Sequence, residues 1–539
     1  MLVRVKLLHH CAIRAIVACF FALALSAAAF SQSIECPINS STSVSGDTTL
    51  YTGTPATNTC VVGDNAQLSV PNSNALLNQT AEGKPVTMVI DNGASLSNSG
   101  YFQNFVTTST AYVGSTLTNF GTIYNNATGT LDTTDGTLTN AGNLENFGTL
   151  DDETGGGGTL DNAGRLVNES NLIYTSIINV TTITNFLNAT IDNLGQMGST
   201  SLTNNGTITN DAGISAGTLS NGGTLLNQAG GQIAVNSFVN NGTFTNNGSS
   251  PEYGGLVLSG SLQNTGTLTN SGGVIIVGPG NIATTATITN QGSFSNAGGN
   301  LAVPVDCVLN LAGSSPIQNG YGQLLVDGTL NSPSTLDTGV AGSIIGAGTI
   351  NGNVTNYDGQ VSPRPGLLDY GYGEYYGPGT LTINGTYTQG AGGDLNINLF
   401  GATPGNYGVL DVSGLATLDG IVDFYGWLGF TPQAGEDITF LDAGSISGTF
   451  SSVDFDNWSC PTGDVCDLVY STNSVSLDIT AASSGGSGGS GGTGGSGGTG
   501  GSGSGGSTNT PEPSSGLLLS AALLALIACS RAKGVSANA

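Results

Sequence analysis

The side chains in this chain best suited to chemistry are acidic, and almost no base accompanies them. Asp151-Asp152-Glu153 and the group Asp454, Asp456, Asp464 and Asp467 carry oxygen atoms of the kind that hold calcium. Neither has the spacing of a recognised calcium loop, and solvated acidic turns account for both. Gly213-Ile-Ser215-Ala-Gly217 matches the G-x-S-x-G pattern of serine hydrolases. It has no strand-to-helix elbow around it and no histidine to complete a triad, so chance in a Gly- and Ser-rich chain explains it. A glycoside hydrolase needs only two facing carboxylates. Acidic residues are available for that role, but no distinctive pair stands out. A polysaccharide lyase needs a cation beside the uronate as well as a base.

That cation is scarce. The chain has 8 Lys and Arg against 35 Asp and Glu, a formal charge of −27, and only two histidines, His9 and His10. Between Gln32 and Pro511 the basic residues are Lys84, Arg165 and Arg364. Nucleic acid is excluded as a partner, because neutralising phosphates takes clustered Lys and Arg. Catalysis through an imidazole base is excluded beyond the first ten residues. No cofactor motif is present, and zinc would want four ligands, with no histidines to add to the cysteines. The expectation is a protein that is not an enzyme. Many Asn-x-Thr/Ser triplets, such as Asn205-Gly-Thr207 and Asn241-Gly-Thr243, match glycosylation sequons, but an Asn/Gly/Thr repeat contains them by necessity.

Cysteine use suits an exported chain. Cys36 and Cys60 lie near the start of the mature sequence, and Cys460 and Cys466 bracket five residues. The simplest pairing joins Cys36 to Cys60 and Cys460 to Cys466, although sequence alone leaves other connectivities open. Cys307 is left over as a small buried hydrophobe. Residues 1–31 read as a signal peptide: Arg4, Lys6 and Arg14 precede the apolar run Ala15–Ala29, and small residues precede Gln32. Without those three positive charges the rest of the chain carries about −30, against −27 for the whole.

What must position any site is a repeat. Leu117-Thr-Asn119-Phe-Gly121-Thr-Ile123-Tyr-Asn125 follows L-x-N-x-G-x-L-x-N. The pattern returns from Leu138, Leu160, Leu202, Leu219, Phe238, Leu262 and Ile288, with an earlier copy at Leu96 and a degenerate one at Ile183. Within a copy the period is two, the period of a strand. Between copies it is about twenty residues, one turn of a parallel β-helix. Leucines then stack over leucines. Asparagines stack over asparagines at a bend, where Asn tolerates the left-handed region and stacked amides form a ladder. Gly two residues later gives the bend room. Thr, Asn and Gly are poor in helix interiors, so a helical solenoid is excluded. Regular aliphatic spacing argues against a disordered tract.

The expected organisation is a cap over 32–95 that covers the open end, β-helix repeats over 96–356, and a loop insert over 357–379. C-terminal β-helix turns and their own cap follow over 380–482. The insert carries Tyr370, Tyr372, Tyr375 and Tyr376 among Gly and Pro. Four tyrosines on a loop could stack on sugar rings. The plainer reading, which is favoured, is a loop folded back with its rings over hydrophobic surface. Residues 483–510 are an almost pure Gly/Ser linker.

Two resemblances follow from these residues. The run Ile350-Asn-Gly-Asn-Val354, Val361-Ser-Pro363, Pro378-Gly-Thr-Leu381-Thr-Ile-Asn-Gly385-Thr-Tyr387, with Asp411-Val-Ser-Gly and Leu418-Asp-Gly, resembles the distal passenger region of autotransporter-type adhesins. That resemblance covers roughly 96–480 and implies an all-β, right-handed parallel β-helix at a cell surface. The Tyr-rich insert separates two turns that are adjacent in that family, and no membrane barrel follows. Over 511–539, Pro511-Glu512-Pro513, the apolar Gly516–Cys529 and Arg531-Ala-Lys533 are similar to a PEP-CTERM sorting signal. This implies recognition by an exosortase-like enzyme at a short transmembrane segment, removal of the tail, and display at the surface or in the extracellular matrix of a Gram-negative bacterium. The expected partners are that enzyme, extracellular polysaccharide (neutral rather than polyanionic) and neighbouring surface proteins. A β-helix polysaccharide-degrading enzyme is the alternative.

Overall fold

The computed structural model describes residues 115–481, except 153–156, 171–174, 249–254, 279–282, 367–376 and 428, and shorter runs between 32 and 114. The described residues are strands and turns without a helix. They form an all-β solenoid of stacked parallel strands.

One coil shows how the sequence makes it. Thr116–Asn119, Thr122–Asn125 and Thr130–Asp132 are three short strands in succession. Each pairs in parallel with its equivalent a coil later: Leu117 lies over Leu138, Ile123 over Leu144, and Leu131 over Leu150. Alternation sends these aliphatics inward and the intervening Thr outward. A continuous apolar core of Leu, Ile, Val and Phe columns results. In the middle coils the third strand of one coil runs straight into the first of the next, as in Gln196–Asn204, Gly213–Asn221 and Gln232–Asn240.

The repeat asparagines are buried inside the coils. Those ending the first strand stack as Asn119, Asn140, Asn162, Asn185, Asn204, Asn221, Asn240, Asn264 and Asn290, at most 2% exposed. Each Nδ2 donates to the Oδ1 of the next at 2.7–2.8 Å. A second ladder runs from Asn98 through Asn125, Asn146, Asn168, Asn193, Asn210, Asn227, Asn246, Asn270 and Asn296 to Asn319 at 2.6–2.8 Å. The remaining amide hydrogen goes to a turn carbonyl, as from Asn119 to Asn143 O at 2.8 Å. None of these asparagines has a positive φ. This corrects the expectation of a left-handed bend residue: Asn is used here because one side chain can donate and accept along the stack while also holding a turn carbonyl. In the degenerate copy two extra residues bulge out, and Asn188, at φ 67°, takes the left-handed turn while Asn185 and Asn193 keep both ladders unbroken.

Parallel pairing begins before residue 96, inside the segment expected to be a cap. Gln32–Cys36 pairs with Thr48–Thr52, and Thr59–Val62 with Thr87–Ile90, which in turn pairs with Thr116–Asn119. Val70 and Ile90 stand where the ladders would continue. The backbone stack needs only alternating strands, so it extends past the asparagines. The first rungs, Asn98 and Asn119, accordingly have Oδ1 atoms with no donor.

At the other end the pairing reverses. Glu436–Gly448 and Asp464–Tyr470 both pair antiparallel with Ser474–Ala481. Cys460 and Cys466 are joined by a disulfide, as expected from their spacing. Cys60 is disulfide-bonded, while the side chain of Cys36 lies outside the described residues. Cys307 is buried and forms no disulfide.

Candidate functional site

Most residues singled out from the sequence are scattered. Pro511, Glu512, Pro513 and Arg531 lie outside the described residues, as do Tyr370, Tyr372, Tyr375, Tyr376 and Glu153. Before the tyrosine insert, Gly366 N donates to both oxygens of Asp327, at 2.8 and 3.0 Å, close against Leu325. Leu325 belongs to a buried outer cluster with Val274, Ile276, Ala302 and Ile345. Ser215 is exposed in mid-strand, stacked between Gly198 and Ala234, with no elbow. Asp152 Oδ2 is filled by Thr181 Oγ1 at 2.6 Å, Thr181 N at 3.1 Å and Gly158 N at 3.2 Å, which makes it structural. Among the described residues, no group of three or more His, Cys, Asp or Glu is arranged to hold a metal ion.

One face does concentrate chemistry. It is built by three consecutive coils, from the strands Asp394–Leu399, Ile421–Gly426 and Ser452–Asp456. Leu395, Ile397, Val422 and Phe424 point into the core, so alternation turns the residues between them outward. The first coil presents Asp394, Asn396 and Asn398, and Phe400 continues the row. The second presents Asp423, Tyr425 and Trp427, and the third Asp454 and Asp456. Register places Asp423 against Asn396 on one side and Asp454 on the other, with Tyr425 between Asn398 and Asp456.

The hydrogen bonding is half complete. Gln360 Nε2 donates to Asp394 Oδ2 at 3.1 Å, and Asn396 Nδ2 to Asp423 Oδ2 at 2.8 Å. Asp394 Oδ1, Asp423 Oδ1 and Asn398 Nδ2 are buried without a partner. Beside them, the Phe400 and Trp427 rings stack with centroids 5.9 Å apart and planes 5° apart, and Tyr425 leans on Trp427 at 4.8 Å.

Burial, reinforced by the charges of Asp456 and Asp394, pushes the Asp423 carboxyl up to about 7. Burial also raises Asp394, against the hydrogen bond from Gln360 and with the charges of Asp454 and Asp456. Like charges directly opposite on neighbouring strands cost stability, so this column is not a stabilising device. The sign follows from linkage: a carboxyl with a raised folded pKa binds its proton more tightly when folded, so stability falls as pH rises from about 4 to about 7. Asp423→Asn removes that penalty. The expected result is a melting temperature higher by roughly 1–3 °C at pH 8 and unchanged at pH 4, measured by thermal unfolding.

The chain matches no protein-family model, and no curated protein is similar to it. The reading therefore rests on the geometry. Sequence reasoning picked out Asp454 and Asp456, grouped with Asp464 and Asp467 as acidic turns; all four lie on strands, Ser452–Asp456 and Asp464–Tyr470, and the rest of this face was missed. Its only trace is the alternation of Asp, Asn and aromatic residues at 394–400, 423–427 and 454–456.

Proposed function

We propose that this is an exported, non-enzymatic surface or extracellular-matrix protein that holds polysaccharide. In this reading residues 1–31 direct export and the solenoid is a right-handed β-helix. Residues 483–510 tether it, and an exosortase-like enzyme reads Pro511-Glu512-Pro513 at a membrane-spanning sorting helix and removes the tail. The observation that carries the reading is the face at Asp394, Asp423 and Asn398. There two acceptors and a donor are buried without a partner, next to aromatic rings. A hydroxyl-rich sugar with an apolar ring face meets all three demands. Outward rows of Thr, such as Thr207 and Thr209, Thr243 and Thr245, Thr267 and Thr269, add hydroxyl surface along the middle coils.

Sorting is tested in a Gram-negative host that carries an exosortase-like enzyme. The full chain is expected to lose its tail and to fractionate with the surface or matrix. A chain lacking 511–539, or carrying Pro511→Ala with Pro513→Ala, is expected to miss that fraction. Uncleaved full chain retained in the cytoplasm would contradict the reading.

A second reading keeps one specific observation. A carboxyl raised to about 7 by burial and, after it, by neighbouring carboxylates is what a glycosidase general acid requires, and Asp423 is such a group. Release of shortened glycan, abolished by Asp423→Asn, would select it.

A further inference from the structure

We propose that the face formed by Asp394, Asp423, Asp454, Asp456, Asn398 and Trp427 binds amino-sugar units, hexosamine residues with a free protonated amine, within a polysaccharide. This rests on the reading that the protein holds glycan, and names which glycan.

The acidic column lacks a counter-charge among the described residues. Four carboxylates face outward on three consecutive coils, with Asp423 directly against Asp454. The cationic side chains among the described residues are Arg165 and Arg364. Arg165 is engaged with Asp192 at 3.6 Å and Glu145 at 4.0 Å, and Arg364 acts on Asp327. Among the described residues, neither cation reaches this column. Stacked carboxylates about 4.8 Å apart repel one another, and an outside cation relieves that repulsion.

Asn398 points the same way, independently of the carboxylates. It is only 3% exposed, and its Nδ2 has no acceptor. It lies in the outward row between Asn396, which holds Asp423, and Phe400, which stacks on Trp427. A buried amide N–H without an acceptor costs about 1–3 kcal/mol, so this position calls for an oxygen. Among the described residues no group of carboxylates is arranged to hold a metal ion. A neutral sugar supplies the oxygen and an apolar ring face for Trp427, but leaves the carboxylates unneutralised. A polyanion is repelled. An amino sugar supplies the ammonium, the hydroxyl oxygens and the ring face together.

The test is calorimetric titration of the exported chain near pH 7 with a glucosamine oligomer, its fully N-acetylated counterpart and a glucose oligomer. The glucosamine oligomer is expected to bind at least about tenfold more tightly than the acetylated one, with the preference shrinking as salt rises. Asp423→Asn with Asp454→Asn is expected to abolish the preference. Both substitutions are nearly isosteric and remove repulsion, so failure to fold is not the expected outcome. Trp427→Ala is expected to weaken all three ligands. Equal affinity for the amine and acetylated oligomers, a preference that survives the double variant, or no binding at all would overturn the proposal. Correct sorting to the surface together with any of these results would leave the export reading standing and remove only the ligand.

Discussion

Gly223→Ala is expected to cost more than about 4 kcal/mol and to leave most of the chain unfolded or misregistered. A Cβ at Gly223 would sit 2.1 Å from Gly206 O and within 2.8 Å of two further backbone atoms of the preceding coil. Gly242 meets Gly223 O, Gly266 meets Gly242 O, and Gly292 meets Gly266 O, each at 2.1 Å. The obstacle is backbone held by in-register pairing, so it cannot step aside as a flexible side chain would. These glycines do not have positive φ; it is space, not conformational freedom, that demands them. Gly298 is the control. It has φ +78° with nothing within 4 Å, and Gly298→Ala is expected to cost about 1 kcal/mol. Chemical denaturation of the two variants separates them. Equal midpoints would refute the column.

Asn221→Ala is expected to cost about 3–5 kcal/mol. Asn221 accepts from Asn204 Nδ2 at 2.8 Å, and donates to Asn240 Oδ1 at 2.8 Å and to Thr243 O at 2.9 Å. Removing it interrupts the ladder and strips Asn240 Oδ1 of its donor where water cannot reach. Asn221→Asp is expected to be at least as damaging, because its Oδ2 cannot donate and a buried carboxylate there has no counter-ion. Asn126→Ala, whose amide binds only Ser97 Oγ and Ser99 Oγ at 3.2 and 3.0 Å in a turn, is expected to cost under about 1 kcal/mol. Denaturation midpoints of the three variants check the ranking. A mild Asn221→Ala would show that the ladder is dispensable.

The solenoid was legible because each coil stacks on a copy of itself. Leu117 over Leu138 and Asn119 over Asn140 repeat one residue type at one period, so pattern and contact coincide. The role of the asparagines was only half legible. Their stacking could be read, but their burial could not, because polar residues are expected outside and only a reciprocal amide pair makes the inside tolerable. The pairing of 32–95 was invisible because Val70 and Ile90 carry the strand without the signature residues. The ligand face was hidden by coil length. Asn396 to Asp423 spans 27 residues and Asp423 to Asp454 spans 31, so no fixed period shows that they touch; the loops between set the register. The tyrosine loop drew attention by composition alone, whereas Tyr425 and Trp427 are single aromatics that matter through what stacks beside them.

Whether the protein holds glycan or cuts it is read from retention and chain length together. The exported chain is incubated with a panel of polysaccharides that includes the matrix of its own source cells. Glycan is expected to be retained at unchanged length, and Trp427→Ala with Asn398→Leu is expected to release it. Shortened glycan, or no retention from any polysaccharide including that matrix, would contradict the proposed function.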